Sequence, residues 1–472
     1  MLDEYLPDVK RPIFHQQLMN TRRAARLNRR YFLRKSALGV AAVTVLPGHI
    51  LGLNGATPPS EKLNLGFIGV AGRGGANLDG CAAENVVALC DVDRARLQKA
   101  QERFPKAKGY QDFRRMMDET ARELDAVVVS TPDHTHAVAL MRAIKERKHV
   151  YSEKPLAHSI QEIRALRAAA RQYKVATQLG NQGHSSDSIR RFHQMIQSGF
   201  IGPVREIHAF CGSYYSKVAE LDRAKETMPV PETLDWDLWL GPAPWRPYNS
   251  CYLPGKWRGW LQFGTGVIGD WVCHVVDPVF WALDLGSPTA LQAEVLDYDP
   301  KLHAETCPPG TRITYEFAAK GNRPAVKLVW YDGKMKPPTP PEMENEKLPG
   351  IGAVVVGDKG KIVYGSHGAG SCRVIPDAQM DAYRELEKTL PPNPIAKSPG
   401  HYAEWLRACK GGPQAGSHFD YGGPLTEIAL LGVIAFRYPG TRLQWDSARM
   451  RFTNHAEANR HLVAEYRQGW KL

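Results

Sequence analysis

Several things are missing from this 472-residue chain, and each absence removes a class of function. Its eight cysteines form no C-x-x-C pair, which argues against a zinc site. In an exported protein one or two disulfides remain open, but the scatter suits small buried apolar residues better. After the first fifty residues no run of eighteen apolar residues occurs, so no helical membrane span is expected there. There is no internal repeat and no long low-complexity tract. A basic surplus spread over the chain is also lacking. Nine Lys/Arg against three Asp/Glu in residues 1–36 carry half of the net charge of +12, and the remainder gives no case for nucleic-acid binding. What is left, 43% hydrophobic and 23% charged, is the mix of a folded enzyme long enough for two domains.

The basic start has an order of its own. Asn28-Arg29-Arg30-Tyr31-Phe32-Leu33-Arg34-Lys35 resembles a twin-arginine export signal, followed by a moderately apolar run from Ala37 to Leu46 and small residues near Gly55-Ala56. Residues 1–58 are therefore read as a leader that engages the twin-arginine export machinery, which places the mature protein outside the cytoplasm. Met19 is an alternative start, because 28 residues precede the arginine pair in the chain as it stands.

Beyond the leader the pattern is strand, turn, helix, repeated. Leu63–Gly69 reads as a buried strand entering the turn Gly69-Val70-Ala71-Gly72-Arg73-Gly74. Against G-x-G-x-x-G, Gly69 and Gly74 match and Ala71 replaces the middle glycine, with Gly72 supplying freedom one position later. Val86–Asp91 is a second strand, ending in an acid 22 residues after Gly69. That is the place for a carboxylate on the adenosine ribose hydroxyls, and it favours NAD over NADP, although Arg73 and Arg94 leave NADP open. Leu124–Ser130 and His149–Tyr151 are further strands. They end in Thr131-Pro132-Asp133-His134-Thr135-His136 and in Glu153-Lys154-Pro155. Strand ends in a doubly wound sheet are where ligands bind, so Thr131, Pro132, Glu153 and Lys154 are expected at the cofactor. His134-x-His136 has no third ligand at suitable spacing; His136 is expected to line the cofactor pocket, and no metal is predicted.

In the second half, Gly264–Asp277 reads as a helix with Asp270 and His274 four residues apart on one face. Asp277 is placed to hold the imidazole, and Trp271 to narrow the pocket or stack on a sugar. Tryptophans in Leu234–Pro242 and Trp257–Trp260 suit either sugar stacking or packing under loops. Ala353–Val356 and Lys361–Tyr364 read as a hairpin, Pro337–Pro341 as a surface excursion, and His401 as a helix cap. Asn454–Leu472, with Tyr466 and Trp470, is expected to pack back on the body.

Together the turn Gly69–Gly74, Cys90-Asp91-Val92-Asp93, Thr131–His136 and Glu153-Lys154-Pro155 resemble the Gfo/Idh/MocA oxidoreductases over roughly residues 62–470. The leader and Gln178–Gln182 are similar to its exported subgroup. The resemblance implies an α/β protein: an N-terminal Rossmann domain with a doubly wound parallel sheet (60–180), then a C-terminal α/β domain with a large, mostly antiparallel sheet (181–472) that often forms a homo-oligomer interface. It implies that Lys154 touches both the nicotinamide ribose and the substrate hydroxyl, and that Gln182 lies near the nicotinamide. The expected activity is hydride transfer between a sugar or polyol hydroxyl and a tightly bound NAD. His274 then acts as a base titrating near neutrality, with Asp270 stabilising it and Lys154 steadying alkoxide charge. A redox-assisted glycosidase or lyase is the alternative, which Lys154 argues against; a non-catalytic sugar-binding relative is the second.

Overall fold

A computed structural model describes residues 61–344 and 346–472, so the leader expectation lies outside the described residues. Four parallel strands follow the sequence pattern closely: β1 (Asn64–Ile68), β2 (Asn85–Cys90), β4 (Ala126–Val129) and β5 (His149–Ser152), with two short strands not read from the sequence, β3 (Lys108–Tyr110) and β6 (Thr177–Leu179), at the edges. Their order is β3-β2-β1-β4-β5-β6, with all pairs parallel. All four residues of β4 are buried, as expected for a parallel strand covered on both faces. Between the strands run α1 (Arg73–Cys81), α2 (Arg94–Arg103), α3 (Phe113–Thr120), α4 (Asp133–Lys145) and α5 (Ile160–Tyr173).

Local chemistry sets where these helices begin. Asp93 and Asp112 cap α2 and α3 by accepting from the backbone N–H groups of Ala95 and Arg114. Ser159 and Glu162 form a reciprocal capping box at α5. Helix α4 starts at Asp133, directly after Pro132, which is well suited to the extended position before a helix.

The second half holds α6 (Asp187–Gln197), β7 (Val204–Cys211), α7 (Trp236–Leu240), α8 (Gly266–Val275), α9 (Asp277–Ala282), strands β8 (Ala290–Leu296), β9 (Gly310–Phe317), β10 (Val326–Gly333), β11 (Ile351–Gly357), β12 (Lys361–Gly365) and β13 (Gly370–Ile375), then α10 (Asp377–Glu387), α11 (His401–Cys409), α12 (Phe419–Ala435), β14 (Leu443–Asp446) and β15 (Arg451–Phe452). Its nine strands are ordered β13-β12-β11-β7-β10-β9-β8-β14-β15, and only β7–β10 is parallel. The chain is thus α/β, with a parallel sheet followed by a mostly antiparallel one.

Helices α8 and α12 are apolar nearly all round because they lie between layers. At Gly432 a Cβ would stand 2.3 Å from both Ile268 Cδ1 and Tyr315 Oη, so only glycine lets α12 approach α8 and the sheet this closely. All eight cysteines are free and buried. No helix among the described residues is long and apolar enough to cross a membrane.

Candidate active site

A cleft of ≈ 780 Å³ runs along the carboxyl ends of the parallel strands and is closed on its far side by α8. Its glycine-turn wall is built by backbone. Gly69 has φ +83°, and a Cβ there would meet Ser130 O at 2.6 Å; at Gly74 a Cβ would meet Gly69 O at 2.0 Å. These two residues pack the turn against β4, and of the pair only Gly69 lines the cleft. Gly72 has φ +56° with open space around it. Ala71, Gly72 and Arg73 face the cleft at the start of α1.

Two carboxylates mark this wall. Asp91 accepts from Val70 N–H (3.2 Å) and Asp93 N–H (3.1 Å), which fixes its orientation at the end of β2. Burial raises its pKa, against the pull of those two N–H bonds. Glu153 Oε1 accepts from Arg73 (3.1 Å), Asn77 (3.0 Å) and Gln182 (3.1 Å). Tyr402 completes this network from α11 by accepting from Arg73 (2.9 Å) and donating to Asn77 (2.7 Å). Thr131 and Pro132 line the cleft, and the buried Thr131 hydroxyl has no partner among the described residues.

The opposite wall is made of side chains. Lys154 donates to the Asp270 carboxylate and to its carbonyl oxygen (2.9 Å). Tyr215 donates to the other Asp270 oxygen (2.7 Å), and Arg258 stands 3.4 Å from the first. Burial pushes the Asp270 pKa up, but Lys154, Arg258 and Tyr215 together hold it well below the usual range. It is a fixed anion. His274, one turn along α8, is buried and has no hydrogen bond to either ring nitrogen among the described residues; its Nδ1 is fully enclosed. Burial first, then Lys154 and His367, lower its pKa well below 6.5. His367, held at φ +58° in the β12–β13 turn, stacks on it with centroids 4.4 Å apart. Trp271 lies edge-on to both imidazoles and donates to Tyr215 (3.3 Å).

Four expectations need correction. Asp277 does not hold His274: it accepts from Asn181 (3.1 Å), pairs with His184 (3.0 Å) and takes the Tyr421 hydroxyl, bracing α9 from below. His274 does not titrate near neutrality, because it is buried beside a lysine. His136 does not line the cleft. Its ring nitrogens pair with Pro155 O and Thr131 O (both 2.8 Å), tying the ends of β4 and β5 together. His134 is similarly spent on Phe263 O and Trp239 O. His401 does not cap its helix: Gly400 stands at the N-cap, and the His401 ring is internal, bonding Gln178 (3.1 Å) and Ser185 (3.2 Å).

Tyr215, Arg258 and His367 were not anticipated. They come from a loop after β7, an aromatic loop noted only for its tryptophans, and a hairpin turn with no distinguishing motif. The tail does pack back: Arg467 donates to Gly241 O (2.6 Å) and Asp237 O (2.7 Å), Tyr466 to Glu162 (2.5 Å), and Trp470 lines the cleft beside Phe113.

The donor set suits a dinucleotide. A glycine turn with open space at Gly72 fits a pyrophosphate, and an oriented acid at the end of β2 fits a ribose diol. An unpartnered threonine hydroxyl and imidazole, both buried, remain near the junction of the two walls. This fold and this cleft define a two-part dinucleotide-binding α/β protein.

The chain belongs to the Gfo/Idh/MocA oxidoreductase family: the family's NAD-binding Rossmann model matches residues 63–181 and its C-terminal alpha/beta model residues 185–326, more than half of the chain between them. Among curated relatives it is 26% identical over 178 residues to inositol 2-dehydrogenase of Salmonella typhimurium, covering 36% of this chain and 51% of that one. It is 24% identical over 231 residues to levoglucosan dehydrogenase of Pseudarthrobacter phenanthrenivorans, covering 46% and 50%. The matched region thus spans about half the length of these relatives. Its fold is similar to that of the WlbA dehydrogenase of Chromobacterium violaceum in complex with NADH and UDP-GlcNAcA (TM-score 0.56, 17% identity, 82% and 97% covered).

Proposed function

We propose that this protein is an NAD-dependent oxidoreductase that transfers a hydride between nicotinamide and a carbon bearing a hydroxyl group on a sugar, polyol or sugar derivative. The observation that carries this reading is the meeting of Lys154 with Asp270, one helical turn from a buried, unengaged His274, in the cleft that begins at the glycine turn. The inositol and levoglucosan dehydrogenases among its relatives support the substrate class.

Gly69, Ala71, Gly72, Arg73 and the start of α1 would hold the pyrophosphate, with Gly74 packing the turn. Asp91 would hold the adenosine ribose, and Thr131, Pro132, Glu153, Lys154 and Gln182 the nicotinamide end. When bound, nicotinamide supplies a two-electron acceptor. The rest is the work of this chain. Lys154, anchored by Asp270, orients the substrate hydroxyl and stabilises negative charge growing on its oxygen. His274 is neutral at ordinary pH because of its burial, so it can take the hydroxyl proton. Asp270 stays ionised and offsets the imidazolium that results. Trp271 and His367 exclude water around the imidazole and offer flat surfaces to a sugar ring.

The test is to incubate purified protein with NAD and a panel of sugars and polyols while following absorbance of the reduced nicotinamide. Turnover with at least one, lost in Lys154→Ala, is expected. Release of nitrophenol from aryl glycosides without net NADH would instead support a redox-assisted glycosidase. Mass analysis of purified protein is expected to find retained NAD. We also propose export through the twin-arginine leader and a homo-oligomer built on the nine-stranded sheet. Fractionation of Arg29→Lys/Arg30→Lys cells and light scattering test these two.

A further inference from the structure

A second cavity, of ≈ 390 Å³, lies apart from the dinucleotide cleft, between the C-terminal end of α12, the start of α5 and the chain's last segment. One wall is apolar, from Leu430, Val433 and Ile434. The other carries Arg437, Arg460 and His461. Arg437 is the unusual group. Its guanidinium makes no hydrogen bond or ion pair with any described residue, and its Nε is fully buried. Enclosing a guanidinium nitrogen without a partner is costly, and arginine does not escape by losing its proton.

The surroundings do not neutralise it. No carboxylate acts appreciably on Arg437; the groups that do are Tyr298, Tyr438 and the second guanidinium, Arg460. Arg460 has no acidic partner among the described residues either, its Nε donating to His461 (3.3 Å). Both arginines bear on His461, whose pKa is lowered to about 4 by burial and by these two cations. Of the two acids lining the cavity, Glu162 is consumed: it accepts the Tyr466 hydroxyl (2.5 Å) and the backbone N–H groups of His158 (3.0 Å) and Ser159 (2.8 Å). Glu465 is exposed at the rim.

We propose that this cavity is a binding site for the oxyanion of a small molecule, a phosphate or carboxylate held by Arg437 and Arg460 with its apolar portion against α12. A planar guanidinium fork presents paired donors to such a group, and the cavity has room for a ligand of sugar-acid size. The site is independent of the proposed hydride transfer.

The test uses the full chain with saturating NAD present, so that the glycine turn is not the acceptor. Inorganic phosphate and gluconate are titrated calorimetrically, with chloride at matched ionic strength as control. Saturable binding of one or both is expected, weakened about tenfold or more in Arg437→Gln and about threefold in Arg460→Gln. Phosphate alone binding assigns a phosphate ligand, and gluconate alone a carboxylate. Binding of neither, or binding that chloride reproduces, overturns the proposal. So does affinity unchanged in Arg437→Gln. Should that variant fail to fold, the exposed Arg460→Gln decides, and unchanged affinity there overturns it as well.

Discussion

The two walls of the cleft are built by different means. On the glycine-turn side, shape comes from backbone: Gly69 pressed on Ser130 O, Gly72 left open, Asp91 fixed by two N–H groups within two strands of each other. On the α8 side the geometry is a meeting of side chains from distant segments: Lys154, Tyr215, Arg258, Asp270, His274 and His367. The first wall is suited to holding a common ligand in a fixed pose. The second is suited to chemistry, because it keeps one permanent anion and one unengaged base side by side in low dielectric. Binding and turnover should therefore separate by mutation.

The sharpest break comes from Lys154→Ala. If the α8 wall is the chemical one, turnover falls by roughly 100-fold or more, while NAD affinity, which loses only the one contact of Lys154 at the nicotinamide end, falls far less. Asp270 keeps Tyr215 and Arg258, so the fold should survive. Steady-state kinetics beside a direct NAD titration checks both halves. Loss of NAD binding with turnover per bound NAD intact would reverse the assignment of the walls.

The difference between the walls also explains what could be read from sequence. A backbone wall is written locally: Gly69-x-Ala71-x-x-Gly74 and the acid ending β2 sit close in the chain, and their spacing is fixed by a strand, a turn and a helix. Asp270 and His274 were legible for the same reason, through their helical spacing. Tyr215, Arg258 and His367 were not, since nothing local distinguishes a tyrosine after a strand from any other. Asp277, three residues after His274, misled because helical spacing was carried past Val275, where α8 gives way to α9 and the acid turns toward His184. The histidines of His134-x-His136 fall inside α4, where carbonyls of neighbouring segments claim both rings.

Next in size is pH dependence of stability. The folded pKa of His274 lies below its unfolded value near 6.5, so in that window the unfolded chain binds the extra proton. Stability is therefore full above about pH 6.5 and falls as pH drops toward the folded pKa, with a slope of at most about 1.4 kcal/mol per pH unit from this group. His134, His158 and His401, lowered to about 3, 4 and 3 mainly by burial, act in the same direction, so the difference between proteins is what counts. Urea unfolding from pH 4.5 to 7 should show a shallower slope in His274→Gln than in the parent. Equal slopes would mean that the imidazole is not neutral and enclosed.

On the backbone wall, Asp91→Ala should weaken NAD by about tenfold, the loss of charge-assisted bonds to a diol, and weaken NADP much less. Fluorescence titration with each cofactor measures the ratio; equal losses would place Asp91 away from the ribose.

The smallest effect tests whether the backbone wall is closed by something the sequence places last. Trp470 lies at the far end of the cleft, 6.0 Å by ring centroid from Phe113 and 4.4 Å under the Arg114 guanidinium. Arg467 pins the same tail to α7 and Gly241, so this short segment joins a loop of the second half to helix α3 of the first. An indole beside Phe113, Asp112 and Asp91 is positioned to cover an adenine rather than a sugar. Trp470→Ala should raise the Kd for NAD by about threefold to tenfold through a faster off-rate, with kcat unchanged. The intact protein should show quenching of tryptophan emission on NADH binding that the variant loses in part. A change in kcat with Kd constant would instead tie the tail to the α8 wall, and the division between a holding wall and a reacting wall would fail at that point.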